Sequence, residues 1–162
     1  MNRTALITGA SRGLGAVVAR VLAERGCDLV LGARDIAPLT HVADPLRALG
    51  ARVVTVDGDI ADESTRARLV AGAASLGGLD LLVNNASELG RIGALSAADL
   101  DRFRRVLAVN VMAPVALVQL ALPLLAGRRG LVVNVSSDAA HGAYPGWGTY
   151  GASKAALELL TR

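Results

Sequence analysis

Short apolar runs of strand type alternate with segments of helical period along the whole chain, and this alternation most restricts its fold. Residues 4–8 (TALIT) form the first run, and residues 14–25 follow with apolar positions 14, 17, 18, 21 and 22, a helical period that Gly26 stops. Residues 28–32 read as a second strand. Residues 36–49 are helical in period but interrupted by Pro38 and Pro45, so Asp44-Pro45 is expected to cap and restart a second short helix. A third strand is expected over 52–57, a helix over 62–76 and a fourth strand over 79–83. Ser96-Ala-Ala-Asp99 has the form of a capping box opening a long helix. Residues 131–135 read as a fifth strand, and a helix containing Tyr150 runs to the last residue. Strand runs without polar alternation, separated by helices, imply a parallel sheet covered on both faces. In such α/β folds ligands bind beyond the carboxyl ends of the strands, near the switch in strand order.

The 162 residues are read as one domain, 1–162, large enough to bury a core built mostly of Ala, Val and Leu: 52% are hydrophobic but only 2% aromatic. The net charge of +3 favours anionic ligands mildly. The arginines are scattered, with no basic run interleaved with aromatics, so no nucleic-acid partner is expected. Cys27 is the only cysteine and His41 and His141 lie far apart, so no metal site is expected and Cys27 is read as a small buried filler. Residues 106–127 carry no charge and are long enough to cross a bilayer. They contain Asn110, Pro114, Gln119 and Pro123, however, and an unpaired amide is costly in lipid, so the segment is read as a buried helix. The first residues lead straight into a strand without the form of a leader peptide. A cytoplasmic protein without membrane association is expected.

The polar residues gather at the strand ends, where the fold would place a ligand. After the first strand comes Thr8-Gly9-Ala10-Ser11-Arg12-Gly13-Leu14-Gly15. Its glycines allow close approach of the backbone, and the helix N-terminus behind it offers free N–H groups to a pyrophosphate. The turn lacks the Gly-Lys-Ser/Thr of a P-loop, which argues against nucleotide triphosphate hydrolysis. The second strand ends in Gly32-Ala33-Arg34. An acidic residue here would hold a ribose 2′-hydroxyl, whereas an arginine suits a 2′-phosphate, and Arg12 is placed to reach the same group. Two solvated surface arginines are the plain alternative; their joint placement points to NADP rather than NAD. Short polar groups recur at Asp59-Ile60 after the third strand and at Asn84-Asn85-Ala86 after the fourth. In the long helix Pro114 has no N–H for the carbonyl of Asn110, which must find another partner.

Tyr150 and Lys154, four residues apart, fall on one face of a helix. A tyrosine normally titrates near pKa ~10, and a cation one turn away favours its phenolate. With a hydroxyl from Ser137 to hold a substrate oxygen, the three make an acid/base centre for a carbonyl or an alcohol. Taken alone, a Tyr and a Lys at this spacing are more often a packed ring beside a solvated amine than a catalytic pair.

Together these residues resemble the short-chain dehydrogenase/reductase family, in its TGxxxGxG and YxxxK branch. The resemblance runs in order through Thr8–Gly15, Asp59, Asn84-Asn85-Ala86, Asn110, Ser137, Tyr150 and Lys154. It implies a Rossmann-type doubly wound parallel sheet, here of five strands in the order 3-2-1-4-5, without the family's usual last two. It implies Tyr150 as general acid/base and Lys154 as the group that tunes it and holds the nicotinamide ribose. Ser137, thirteen residues before Tyr150, would orient the substrate carbonyl. Asn110 would hold, through its main-chain carbonyl, a water that relays protons to Lys154. Gly9 to Arg12 would wrap the pyrophosphate and, with Arg34, the 2′-phosphate; Asp59 and Ile60 would contact the adenine and Asn85 the ribose region, with Gly13, Leu14, Gly15 and Ala86 also cofactor-binding. The family departs to glycine where this chain has Ser87. Its members also extend well beyond the equivalent of Arg162, supplying two strands and much of the substrate pocket, so the chain is read as the N-terminal portion of a longer member. The expected activity is hydride transfer between NADP and a small carbonyl or alcohol. The alternative is a cofactor-binding fragment or scaffold without turnover. Homo-oligomers through the long fourth helix and the last helix are also implied.

Overall fold

The computed structural model describes residues 2–162. Five strands, β1 (Thr4–Thr8), β2 (Asp28–Ala33), β3 (Val53–Asp57), β4 (Leu81–Asn84) and β5 (Leu131–Asn134), form one parallel sheet in the order β3-β2-β1-β4-β5. This is the Rossmann-type doubly wound arrangement with its switch point between β1 and β4. Alternate residues of the same strand go to opposite faces, and at β1 and β2 both faces are buried. Ala5, Ile7, Leu29 and Leu31 pack under α1 (Gly13–Glu24) and α2 (Ile36–Ala48), through Ala19, Ala23, Leu39 and Leu46. Leu6, Val30 and Leu82 pack under α3 (Glu63–Ser75) and the long apolar helix, through Leu69, Ala73, Leu117, Ala121 and Leu125. The small alanines let helix backbones approach the sheet, which explains how a core works with so few aromatic rings. Cys27 is a buried member of the first cluster, as its reading as a filler requires.

Three local expectations are corrected. First, α2 does not restart at Asp44-Pro45; it is a single thirteen-residue helix with Pro45 inside it. Pro38 lies in its first turn, where no helical N–H is lost. Pro45 removes the donor for the His41 carbonyl, but His41 is solvent-exposed, so the loss costs little. Asp44 pairs instead with Arg47 at 2.8 Å. Second, Ser96 does not cap the long helix. Leu95–Ala97 is a 3-10 turn, and Asp99 is the N-cap, accepting hydrogen bonds from the Asp101 and Arg102 amides at 3.0 and 3.1 Å. A carboxylate one residue before the helix outcompetes a serine further upstream because it also meets the positive helix end.

Third, the long helix is not uniform. Helix α4 (Leu100–Leu107) passes through a π turn at Ala108–Met112 into α5 (Ala113–Arg128). Ala113 donates to the Ala108 carbonyl five residues back, so the chain widens just where Pro114 has no N–H to give Asn110. The break was legible from Pro114; its π form was not. From Leu100 to Arg128 the helix is long and apolar enough to span a membrane by length and composition. Leu117, Ala121 and Leu125 nevertheless lie against the sheet, the ordinary setting of a core helix. The last helix, α6 (Gly148–Leu160), packs on the π turn and α4.

Candidate functional site: a dinucleotide groove beside a Tyr–Lys helix

A groove of about 460 Å³ runs across the carboxyl ends of β1 to β4. Among the residues expected there, Gly9, Ser11, Arg12, Gly13, Leu14, Arg34, Asp59, Ile60, Asn85 and Ala86 line it. Ala10 and Gly15 do not line it. Ala10 is fully buried and gives its N–H to the Gly32 carbonyl at 3.0 Å. Gly15 is buried behind the turn, where a Cβ would stand 2.4 Å from the Gly9 carbonyl oxygen. Its role is to let α1 close onto the turn. Gly9, at φ +66°, lies where a Cβ would stand 2.9 Å from Ala86 Cα. Behind the turn, the first turn of α1 carries no acidic side chain and Arg12 makes no side-chain cap. The helix N–H groups are therefore left to an anion. The uncapped helix start, two arginines and a glycine-lined wall fit a dinucleotide pyrophosphate.

The turn is held by β4. Asn85 donates both amide hydrogens to it, to the Thr8 carbonyl at 2.9 Å and the Gly9 carbonyl at 3.1 Å. Thr8 Oγ1 in return accepts from the Asn85 and Ala86 amides, both at 3.0 Å. Asn85 thus acts on the groove by fastening its wall, and Thr8 is a fastener that sequence reading had left as part of a motif. At the far end, Asp59 accepts from the Ala61 amide at 2.9 Å and pairs with Arg105 at 2.5 Å. Burial alone would raise its pKa, but the Ala61 amide and Arg105 outweigh that and hold the carboxyl below its usual range. Arg105 reaches on to Glu88 at 3.1 Å, so one guanidinium ties the ends of β3 and β4 across the groove. Arg105 and Glu88 were missed because neither belongs to a motif; they meet only once α4 lies beside both strand ends.

Asn110 is fully buried and its side chain is saturated. Oδ1 accepts from Ser87 Oγ at 3.3 Å and the Glu88 amide at 2.8 Å; Nδ2 donates to the Glu88 carbonyl and Ser153 Oγ, each at 2.9 Å. All four amide valences are used, so the side chain is a fastener between the β4 loop and α6. Ser87, where the family has glycine, is accommodated by this bond. Ser153 passes the link on to the Tyr150 carbonyl at 2.7 Å.

Tyr150 and Lys154 sit on α6 beside the end of β5, next to the groove rather than in it. Lys154 is only 2% exposed and donates from Nζ to the Val135 carbonyl at 2.7 Å. The same Nζ lies 5.8 Å from the centroid of the Tyr150 ring. Burial pushes the Lys154 pKa down. Trp147 stacks edge-on against Tyr150 at 5.8 Å. Ser137, on the loop after β5, donates to Asp138 at 3.1 Å and accepts from the Ala139 amide at 3.2 Å. Asp138 also receives the Tyr144 hydroxyl at 2.6 Å, the leading cause of its lowered pKa.

The doubly wound parallel sheet, the open groove at its strand ends lined by the glycine-rich turn, Arg12 and Arg34, and the Tyr–Lys pair one helical turn apart beside it define the class of the fold. Residues 3–162 match the family model for short chain dehydrogenases, and the chain belongs to that family. It is 37% identical over 185 residues to an L-xylo-3-hexulose reductase of Hypocrea jecorina, covering 99% of this chain and 60% of that one. The alcohol dehydrogenase of the archaeon Thermococcus sibiricus, complexed with 5-hydroxy-NADP, superposes with a TM-score of 0.92 at 30% identity, over 99% of this chain and 68% of that one. An NAD+-bound xylitol dehydrogenase gives 0.92 at 27% identity, over 98% and 62%. The chain spans about three fifths of the length of the curated relatives it matches.

Proposed function

We propose that the chain binds NADP(H) in the groove and transfers hydride between the nicotinamide and a small carbonyl or alcohol, with Tyr150 as the proton donor or acceptor. The observation that carries the cofactor choice is that Arg12 and Arg34 both line the groove, beside the uncharged Ala33 at the end of β2. Asp35, one residue on, also lines the groove, so the preference is two guanidinium groups against one carboxylate. When bound, the cofactor supplies or accepts the hydride. The chain's own residues manage the oxygen and the proton. Ser137 holds the substrate oxygen by turning its one hydroxyl hydrogen from Asp138 to it, and the Tyr150 phenol delivers its proton to that oxygen in reduction or takes it in oxidation. The Lys154 ammonium, sequestered from water, stabilises negative charge on the phenol oxygen through a poorly screened field. Asn110 contributes its main-chain carbonyl, which Pro114 leaves without a helical donor, as a seat for a water that exchanges protons with Lys154.

Cofactor binding without turnover is the second reading, favoured by the open setting of the Ser137 loop: Asp138, His141 and Tyr144 are all exposed, so water is not excluded. Assembly of like chains through α5 and α6 and a cytoplasmic setting complete the proposal. The test is titration with NADPH and NADH, followed by an absorbance assay over aldehydes and ketones. Arg34→Asp is expected to weaken NADPH binding by about tenfold or more and to spare NADH; equal losses refute the assignment. Binding without oxidation of NADPH on any carbonyl replaces the catalytic reading with the second one.

A further inference from the structure

Helix α6 carries a third polar side chain in line with Tyr150 and Lys154. Glu158 follows Lys154 by one turn, as Lys154 follows Tyr150, so the three share a face. Glu158 makes no ion pair with Lys154; its Oε1 accepts from Ser136 Oγ at 2.5 Å and its Oε2 meets His141 Nε2 at 2.7 Å. These contacts lie at the two ends of the loop that carries Ser137. Between them the loop is pressed onto α6: Ala139 is buried, and a Cβ on Gly151 would stand 2.5 Å from the Ala139 carbonyl oxygen. Lys154 holds the residue before the loop, through the Val135 carbonyl.

We propose that Glu158 is a positioning residue that clamps the Ser137 loop to the helix bearing Tyr150 and Lys154, fixing the distance between the serine hydroxyl and the phenol. This rests on the reading of Ser137 as the group that holds the substrate oxygen. The bond to Ser136 is the effective half, because it is partly buried. The His141 side chain is 73% exposed, and an ion pair in that setting contributes little. Glu158 touches neither the groove wall nor Tyr150, so it acts through the loop and not on the reacting atoms.

Hydrogen exchange on the whole chain tests the clamp independently of turnover, because the amides of Ala139, Ala140, His141 and Gly142 are all bonded within the loop. Glu158→Ala is expected to speed their exchange by about tenfold, with β1 to β4 unchanged. Glu158→Gln, which keeps an acceptor for Ser136, is expected to restore protection. Ser136→Ala is expected to match Glu158→Ala, and the double variant to add nothing further. Unchanged exchange in both single variants, or equal loss in Glu158→Gln, overturns the clamp. In the assay, Glu158→Ala is expected to lower kcat several-fold while the NADPH KM stays the same, with rescue by Glu158→Gln. If exchange responds but kcat does not, the clamp stands and the role given to Ser137 fails.

Discussion

Asp28 shows how a single residue ties the fold to pH. Its carboxylate is fully buried at the start of β2 and accepts from the Arg52 amide at 2.9 Å and from the Arg52 guanidinium at 2.7 and 3.0 Å. Burial opposes the charge, but the Arg52 bonds outweigh it and hold the pKa below the usual carboxylate range. The stabilisation is therefore complete above the ordinary carboxylate pKa of about 4 and is lost as pH falls through the lower folded value. Asp28→Asn is expected to cost about 2 kcal/mol at neutral pH and to flatten the acid limb of a denaturation-versus-pH series. Lys154 has the same sign in a more alkaline window and for a different reason: burial disfavours its charged form and lowers its pKa, so stability is expected to rise with pH between the folded value and the ordinary lysine value. Lys154→Met is expected to abolish that rise and most of the turnover together. Tyr150→Phe removes the proton but not the ring, and is expected to cut kcat by about 10²–10⁴-fold with cofactor affinity within a few-fold.

Among the elements, the π turn and α6 do what no isolated motif does. Asn110 is legible in sequence through Pro114, yet its side chain turns out to be spent on Ser87, Glu88 and Ser153. Asn110→Leu, close to it in size, leaves those partners unpaired inside the protein and is expected to cost about 3 kcal/mol, read as a lower denaturant midpoint at unchanged slope. Loss of activity without loss of stability would show that the side chain is not the fastener. The misplaced helix starts have one cause. Capping and proline rules are local, and they do not say whether a broken carbonyl belongs to an exposed residue, as at His41, or a buried one, as at Asn110.

At the scale of the molecule, the sheet is covered unevenly. Both faces are buried at β1 and β2, but on the edge strand Leu131 is 67% and Val133 45% exposed, and Leu159 and Leu160 of α6 are open as well. Apolar surface gathered this way drives association. Concentration-dependent sedimentation is therefore expected, weakened by Leu159→Lys with Leu160→Lys; a monomer at all concentrations would refute it.

Periodicity and punctuation by themselves determined the strand and helix order, the parallel sheet and the glycine-rich turn, because a backbone that alternates two periods has few ways to bury both. The i,i+4 spacing of Tyr150 and Lys154 was likewise a local fact. What only the tertiary structure decided were the contacts across strands and helices: Asn85 on the glycine turn, Arg105 between Asp59 and Glu88, Glu158 on Ser136. Each joins residues brought together by packing alone, at separations where a side chain's partner depends on which strand ends become neighbours.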